Sequence, residues 1–115
     1  MSMTYWEVLE EFIRNNEVSI DRKKGSSHPR YSNMIYPVDY GFIRGTKSMD
    51  NGGIDIFIGE EEKKSINGIA CIADRVKMDS EIKIIYGCND DEVRSIMNFL
   101  NASNFMKAIY IERKE

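Results

Sequence analysis

Residues 36–59 read YPVDYGFIRGTKSMDNGGIDIFIG. The end of this stretch alternates, with Ile54, Ile56 and Ile58 on one side and Asp55 and Phe57 on the other. That is the period-2 pattern of a β-strand. Its beginning, from Tyr36 to Ile43, is rich in aromatic and β-branched residues and is expected to be partly extended. Pro37 confines that part to a sheet edge or a bend. Between the two lies Asp50-Asn51-Gly52-Gly53, a natural turn, because Asp bonds its own backbone and Gly accepts positive φ. A turn needs neither Tyr36 and Tyr40 nor the second aspartate, Asp55.

Working outward, Thr4 is followed three residues later by Glu7, a capping-box pattern. Trp6, Leu9, Phe12 and Ile13 then recur at helical spacing, which predicts an amphipathic helix from about Thr4 to Asn15. Val18 to Asp21 alternates as a short strand, and Lys23 to Asn33, rich in Gly, Ser, Pro and basic residues, reads as a loop. Downstream, 66–76 and 81–86 are strand candidates. Asn89 with Glu92 opens a second helix carrying Val93, Ile96, Met97 and Leu100, and Phe105 to Ile111 is a last strand. Many short strands with two helices suggest an α+β domain built on a small closed or half-closed sheet.

The chain has 115 residues, the size of one domain with a core of its own, and we treat 1–115 as a single unit. Hydrophobic content of 42% and charged content of 30% are those of an ordinary globular protein. A net charge of −3 argues against a general nucleic-acid binder, whose affinity comes largely from neutralised phosphates, but leaves room for a local cationic pocket. Cys71 and Cys88 have no zinc-like spacing and read as free thiols of a reducing compartment. With no leader-like segment and no long apolar run, a cytoplasmic protein without a membrane partner is expected. The apolar residues of the first helix and the last strand suit a homo-oligomer as well as a plain core.

Asp50 and Asp55 are five residues apart, and Asp74 and Asp79 repeat that separation. Clustered carboxylates repel unless a cation lies between them. Oxygen-rich sites suit Mg²⁺, which keeps several waters and takes one or two carboxylates directly. Arg22, Lys23, Lys24 and Arg30 surround Gly25-Ser26-Ser27, a set able to hold a phosphate, although a charge run is more often a solvated face. His28 is the single histidine.

Taken together, Asp21-Arg-Lys-Lys-Gly-Ser, Arg30-Tyr31, Tyr36-Pro-Val-Asp-Tyr40-Gly-Phe-Ile, Thr46 and the Asp50–Asp55 pair resemble the soluble inorganic pyrophosphatases of the first family. Their pattern includes Y-P-x-x-Y-G-F-I-P-x-T and D-G-D-P-x-D, and the likeness covers about residues 18–86. It implies a five-stranded barrel of the OB type with an N-terminal and a C-terminal helix, and Mg²⁺-dependent hydrolysis of pyrophosphate by metal-activated water. It also implies roles: Asp50, Asp55, Asp74, Asp79 and Asp21 for metal, Arg30, Tyr36, Tyr40, Lys83 and Lys24 for phosphate, and Asp50, Asp55 and Tyr40 for catalysis. The departures are as specific. The family's middle carboxylate falls on Gly52, Ser32 stands for a glutamate, and the hairpin before Tyr36 is missing. The expected lysine falls on Glu81 unless a shift of two residues makes it Lys83. A second expectation is therefore a degraded pyrophosphatase-like scaffold that binds phosphate or metal, or serves as an interaction protein. A third, an OB-type nucleic-acid binder, lacks a basic, aromatic-interleaved strand.

Overall fold

The computed structural model describes residues 2–114. Two helices and six strands follow in the order α1 (Tyr5–Asn15), β1 (Val18–Arg22), β2 (Asp39–Ile43), β3 (Ile54–Ile58), β4 (Ile66–Asp74), β5 (Asp79–Tyr86), α2 (Asp90–Leu100) and β6 (Met106–Glu112). Both expected capping boxes form. The Thr4 hydroxyl accepts from Glu7 N at 3.1 Å while the Glu7 carboxylate accepts from Thr4 N at 2.9 Å. Asn89 and Glu92 do the same at 2.8 and 2.9 Å. Each box satisfies two backbone donors that the first helical turn leaves without partners.

The strands make one mixed sheet in the order β1-β2-β3-β5-β4-β6. Neighbours are antiparallel except β3 and β5, which run parallel with Asp55 opposite Lys83. The alternation of residues 54–58 is realised with both sides covered. Ile54 and Ile56 join Leu9, Ile43, Ile66, Ile69 and Ile84 beneath α1. Phe57 joins Tyr36, Val38, Ile72, Ile85, Ile96 and Leu100 beneath α2. One helix thus lies on each face, and β3 and β5 are buried from both sides. Full burial of a side chain such as Phe57, Ile56 or Ile84 contributes roughly 1.5–3 kcal/mol.

The α+β class is as the sequence indicates, and the barrel differs from expectation. Six strands rather than five join the sheet, its edges are β1 and β6, and no pairing between them closes it among the described residues. A small barrel fills one interior with the side chains of one face. Here both faces carry a core and a helix, so the sheet stays open. Curvature is instead concentrated at β1. A Cβ on Gly41 would stand 1.9 Å from the Ser19 carbonyl oxygen, so only glycine lets β1 cross this close to β2. A register shift between Ile20 and Arg22 follows directly. It leaves Asp21 as the bulged residue and re-aims Arg22, as bulges do.

Three further details place the site. The segment expected as a plain loop after β1 is a small hairpin, held by Gly25 N to Tyr36 O (2.9 Å), Tyr36 N to Ser26 O (3.0 Å) and His28 N to Met34 O (2.8 Å). The β4–β5 turn is closed by Asp74, whose Oδ1 accepts from Val76 N and Lys77 N. No helix among the described residues is long and apolar enough to cross a membrane.

The β4–β5 turn stores strain: Met78 adopts φ +56° with its side chain 88% exposed, so nothing is gained from the methionine. Met78→Gly should raise stability by about 0.5–1 kcal/mol, since glycine carries no Cβ penalty in this conformation. An increase in the urea midpoint with an unchanged slope is the expected result.

Candidate functional site

Side chains on the α2 face of the sheet converge where α2 does not cover it. Strand parity puts Tyr40 of β2, Asp55 of β3, and Asp79, Glu81 and Lys83 of β5 on that face, with Asp74 of β4 opposite Asp79. Lys83 is 7% exposed, the one buried charged residue among those described. Its Nζ donates to Asp55 Oδ2 at 2.6 Å, to Tyr40 Oη at 2.7 Å and to Glu81 Oε1 at 3.4 Å. An ammonium has three donors, and all three are used.

Arg22 covers this group from the curled edge. Its guanidinium carbon lies 5.4 Å from the Tyr36 ring centre and 5.9 Å from that of Tyr40, and Nη1 donates to the Tyr36 hydroxyl. The tyrosine rings are 5.2 Å apart, with Phe99 at 4.7 Å behind Tyr36 and Phe57 at 4.7 Å behind Tyr40. The wall is therefore rigid and apolar at its base, with two cations and two hydroxyls at its surface. Low polarity there strengthens each charge-assisted bond.

Burial pushes the Lys83 ammonium down, but Tyr40 and Asp55 outweigh it, and the group stays protonated above the ordinary lysine range. Burial likewise raises the Tyr40 phenol, with Asp55 adding to the effect and Lys83 offsetting part of it. At neutral pH Tyr40 is a neutral hydroxyl, so the charges that hold Lys83 are the carboxylates of Asp55 and, at longer range, Glu81. His28 is shifted down by burial, then by Arg22 and Arg30. Its imidazole is neutral, with Nδ1 accepting from Arg30 N at 3.0 Å.

Of the residues singled out by sequence, Tyr36, Tyr40, Asp55 and Lys83 meet. The choice between Glu81 and Lys83 dissolves, because residues two apart in a strand share a face and both are in the cluster. Asp74 and Asp79 sit further along the same face, and Asp74 also serves the turn. Asp50 is exposed in the β2–β3 loop, where its Oδ1 accepts from Ser48 Oγ (2.9 Å) and Gly52 N (3.0 Å). These bonds hold its carboxyl below the usual range, Ser48 most strongly. Asp21 is exposed at the bulge. Lys24, expected against phosphate, turns away: its Nζ pairs with Glu60 at 3.2 Å, an exposed bridge. Arg30 is exposed in the 24–36 hairpin, within electrostatic reach of His28. Sequence reasoning named Arg22 only within a basic set around Gly25-Ser26-Ser27, and Glu81 only as the alternative to Lys83, and placed neither in this cluster. Parity with Lys83 was the signal for Glu81, whereas Arg22 depends on a bulge that the Arg22–Lys24 run does not reveal.

The five aspartates expected to hold metal are not gathered. Among the described residues no group of three or more His, Cys, Asp or Glu side chains is arranged to hold a metal ion. Asp55 and Glu81 both flank Lys83, and Asp79 and Asp74 continue along the face. Mg²⁺ needs only one or two carboxylates when phosphate oxygens and water complete its shell. Two open surface depressions lie elsewhere, one beside Trp6 and Tyr110 and one lined by Glu7, Glu10, Arg14 and Arg113, where Arg113 pairs with Glu10. No family model matches the chain, and no curated protein matches it.

Lys83→Met removes the only cation between two carboxylates. It should cost about 2–3 kcal/mol at neutral pH, less than for a fully buried pair because Asp55 keeps some solvent. Lys83 and Tyr40 both hold their protons more tightly folded than unfolded. Their stabilisation is complete below about pH 10 and is lost as the pH rises through the raised folded values. The alkaline loss of stability, followed by urea unfolding between about pH 9 and pH 11, should be shallower in the Lys83→Met/Tyr40→Phe variant.

Proposed function

We propose that this chain hydrolyses pyrophosphate, or a related small phosphoanhydride, with Mg²⁺, as a short divergent relative of the soluble inorganic pyrophosphatases of the first family. The observation that carries this reading is the convergence of Arg22, Tyr36, Tyr40, Asp55 and Lys83 on one face. These residues come from four separate segments; Tyr36, Tyr40 and Asp55 belong to the spacing that carries the family resemblance, and Lys83 matches it with a shift of two residues. In this reading the open six-stranded sheet is a rearranged counterpart of the small barrel. The free thiols of Cys71 and Cys88 suit a reducing, cytoplasmic setting.

The chemistry follows from charge. Arg22 and Lys83 are balanced by Asp55 and Glu81, so a polyanion alone gains little net attraction. Asp55 and Glu81, with Asp79 and Asp74 beside them, would hold Mg²⁺. When bound, the ion neutralises phosphate oxygens and lowers the pKa of its water. Lys83, held by Asp55, Tyr40 and Glu81, would add positive charge beside the phosphate oxygens. Tyr40, protonated at neutral pH, donates its hydroxyl toward the same charge, and Arg22 adds a planar guanidinium. Asp55 positions Lys83. With glycine at position 52 the chain supplies no middle carboxylate, a loss of base assistance worth about 10²–10⁴-fold.

The second reading, a degraded scaffold that binds without turnover, is favoured by Asp50, whose Oδ1 is spent on the Ser48–Gly52 turn. Phosphate release from pyrophosphate with millimolar Mg²⁺ separates the two. Wild-type release should be slow and metal-dependent, and Asp55→Asn or Lys83→Met should lower it at least about 100-fold. Asp50→Asn keeps the turn acceptor, so turnover falls in that variant only if the charge of Asp50 is used. Pyrophosphate binding by calorimetry with no release in any condition would leave the binding scaffold.

A further inference from the structure

Tyr31 and Phe105 come from different segments, the 24–36 hairpin and the turn before β6, yet their rings stack at 6.1 Å and 16°. Phe105 is 53% exposed and Tyr31 is also exposed, so the pair gains little from burial. The row of rings continues inward. His28 lies 5.1 Å from Tyr31 and 6.3 Å from Tyr36, nearly parallel to the latter at 8°. Tyr36 in turn carries Arg22 on its hydroxyl and beside its ring. The row is thus open to solvent at Phe105 and ends in the Arg22–Lys83 cluster. His28, at its middle, feels both Arg22 and Arg30.

A bare pyrophosphate would use only the cationic end. A nucleotide presents a planar base at one end and phosphates at the other, with a ribose between. Every base has a π-face, and stacking on an exposed aromatic is tolerant of base identity. The Arg22 guanidinium at the far end, with one nitrogen on the Tyr36 hydroxyl, suits the phosphates. We propose that the site takes a nucleoside 5′-diphosphate or triphosphate, its base on the Tyr31–Phe105 stack and its phosphates at Arg22. This rests on the phosphoanhydride reading of the cluster and narrows it to nucleotides. Neutral His28 joins the two ends without adding charge between them.

Calorimetric titration of the full chain with ADP, pyrophosphate and adenosine, each with millimolar Mg²⁺, tests it in wild type, Phe105→Leu and Tyr31→Leu. Leucine keeps the apolar bulk and removes the π-face. Wild type should bind ADP about tenfold or more tighter than pyrophosphate, as one stacked base allows. Both variants should lose that advantage while keeping wild-type affinity for pyrophosphate. Equal affinity for ADP and pyrophosphate in wild type overturns the nucleotide inference and leaves the phosphoanhydride reading standing. So does an ADP advantage that survives both substitutions. Absence of binding by either anion overturns both. Both positions are exposed, and thermal melts verify folding. Should one variant fail to fold, the other and the wild-type comparison still decide.

Discussion

A lysine ammonium buried in a sheet is tolerable only if every donor is met by an acceptor and at least one acceptor is charged. Lys83 meets this condition through Asp55, Tyr40 and Glu81, drawn from three strands. The condition works backwards on the fold. It requires β3 beside β5 in a register that sets Asp55 opposite Lys83, and β2 beside β3 so that Tyr40 reaches the same point. A slip of one residue would send Lys83 to the opposite face, into the isoleucine layer beneath α1. The ion pair therefore opposes register errors, and the apolar alternation of β3 and β5 opposes them independently.

The position of the cluster follows from how the helices share the sheet. α1 covers one face with Leu9 and its neighbours, and α2 packs on the other over Ile72, Ile85 and β6. β2 and the β3-facing part of β5 are left outside the footprint of α2. There the face changes from apolar to polar along a single strand: Ile85 beneath the helix, then Lys83, Glu81 and Asp79 toward the open end. The curl of β1 over Gly41 brings Arg22 onto this open region, and the 24–36 hairpin closes beside it. The candidate site is the uncovered remainder of a face whose other part is core.

Much of this was legible in the residues. Capping pairs, helical periodicity and the strict alternation of 54–58 are local, so they identify α1, α2 and β3 with little outside help. All six strands correspond to extended segments readable in the chain. The barrel was not legible in that way. It came from resemblance, and closure depends on whether two distant edges meet, which no short window encodes. The aspartate spacing was legible as a pattern but ambiguous in purpose. Asp50 and Asp74 serve turns, as the short polar side chain of Asp does whenever the backbone offers N–H groups nearby.

By itself, the sequence determined which segments are helix and strand, that the chain is acidic yet carries local basic runs, and that Tyr36, Tyr40, Asp55 and Lys83 are polar groups on otherwise apolar segments. Only the tertiary structure decided which charges meet. Lys24 and Arg22 are two residues apart in one basic run, yet Lys24 pairs with Glu60 while Arg22 lies on the tyrosines. The cause is a bulge and a close strand crossing at Gly41. Side-chain direction in a strand follows the parity of its register, and that register is set by a partner strand elsewhere in the chain.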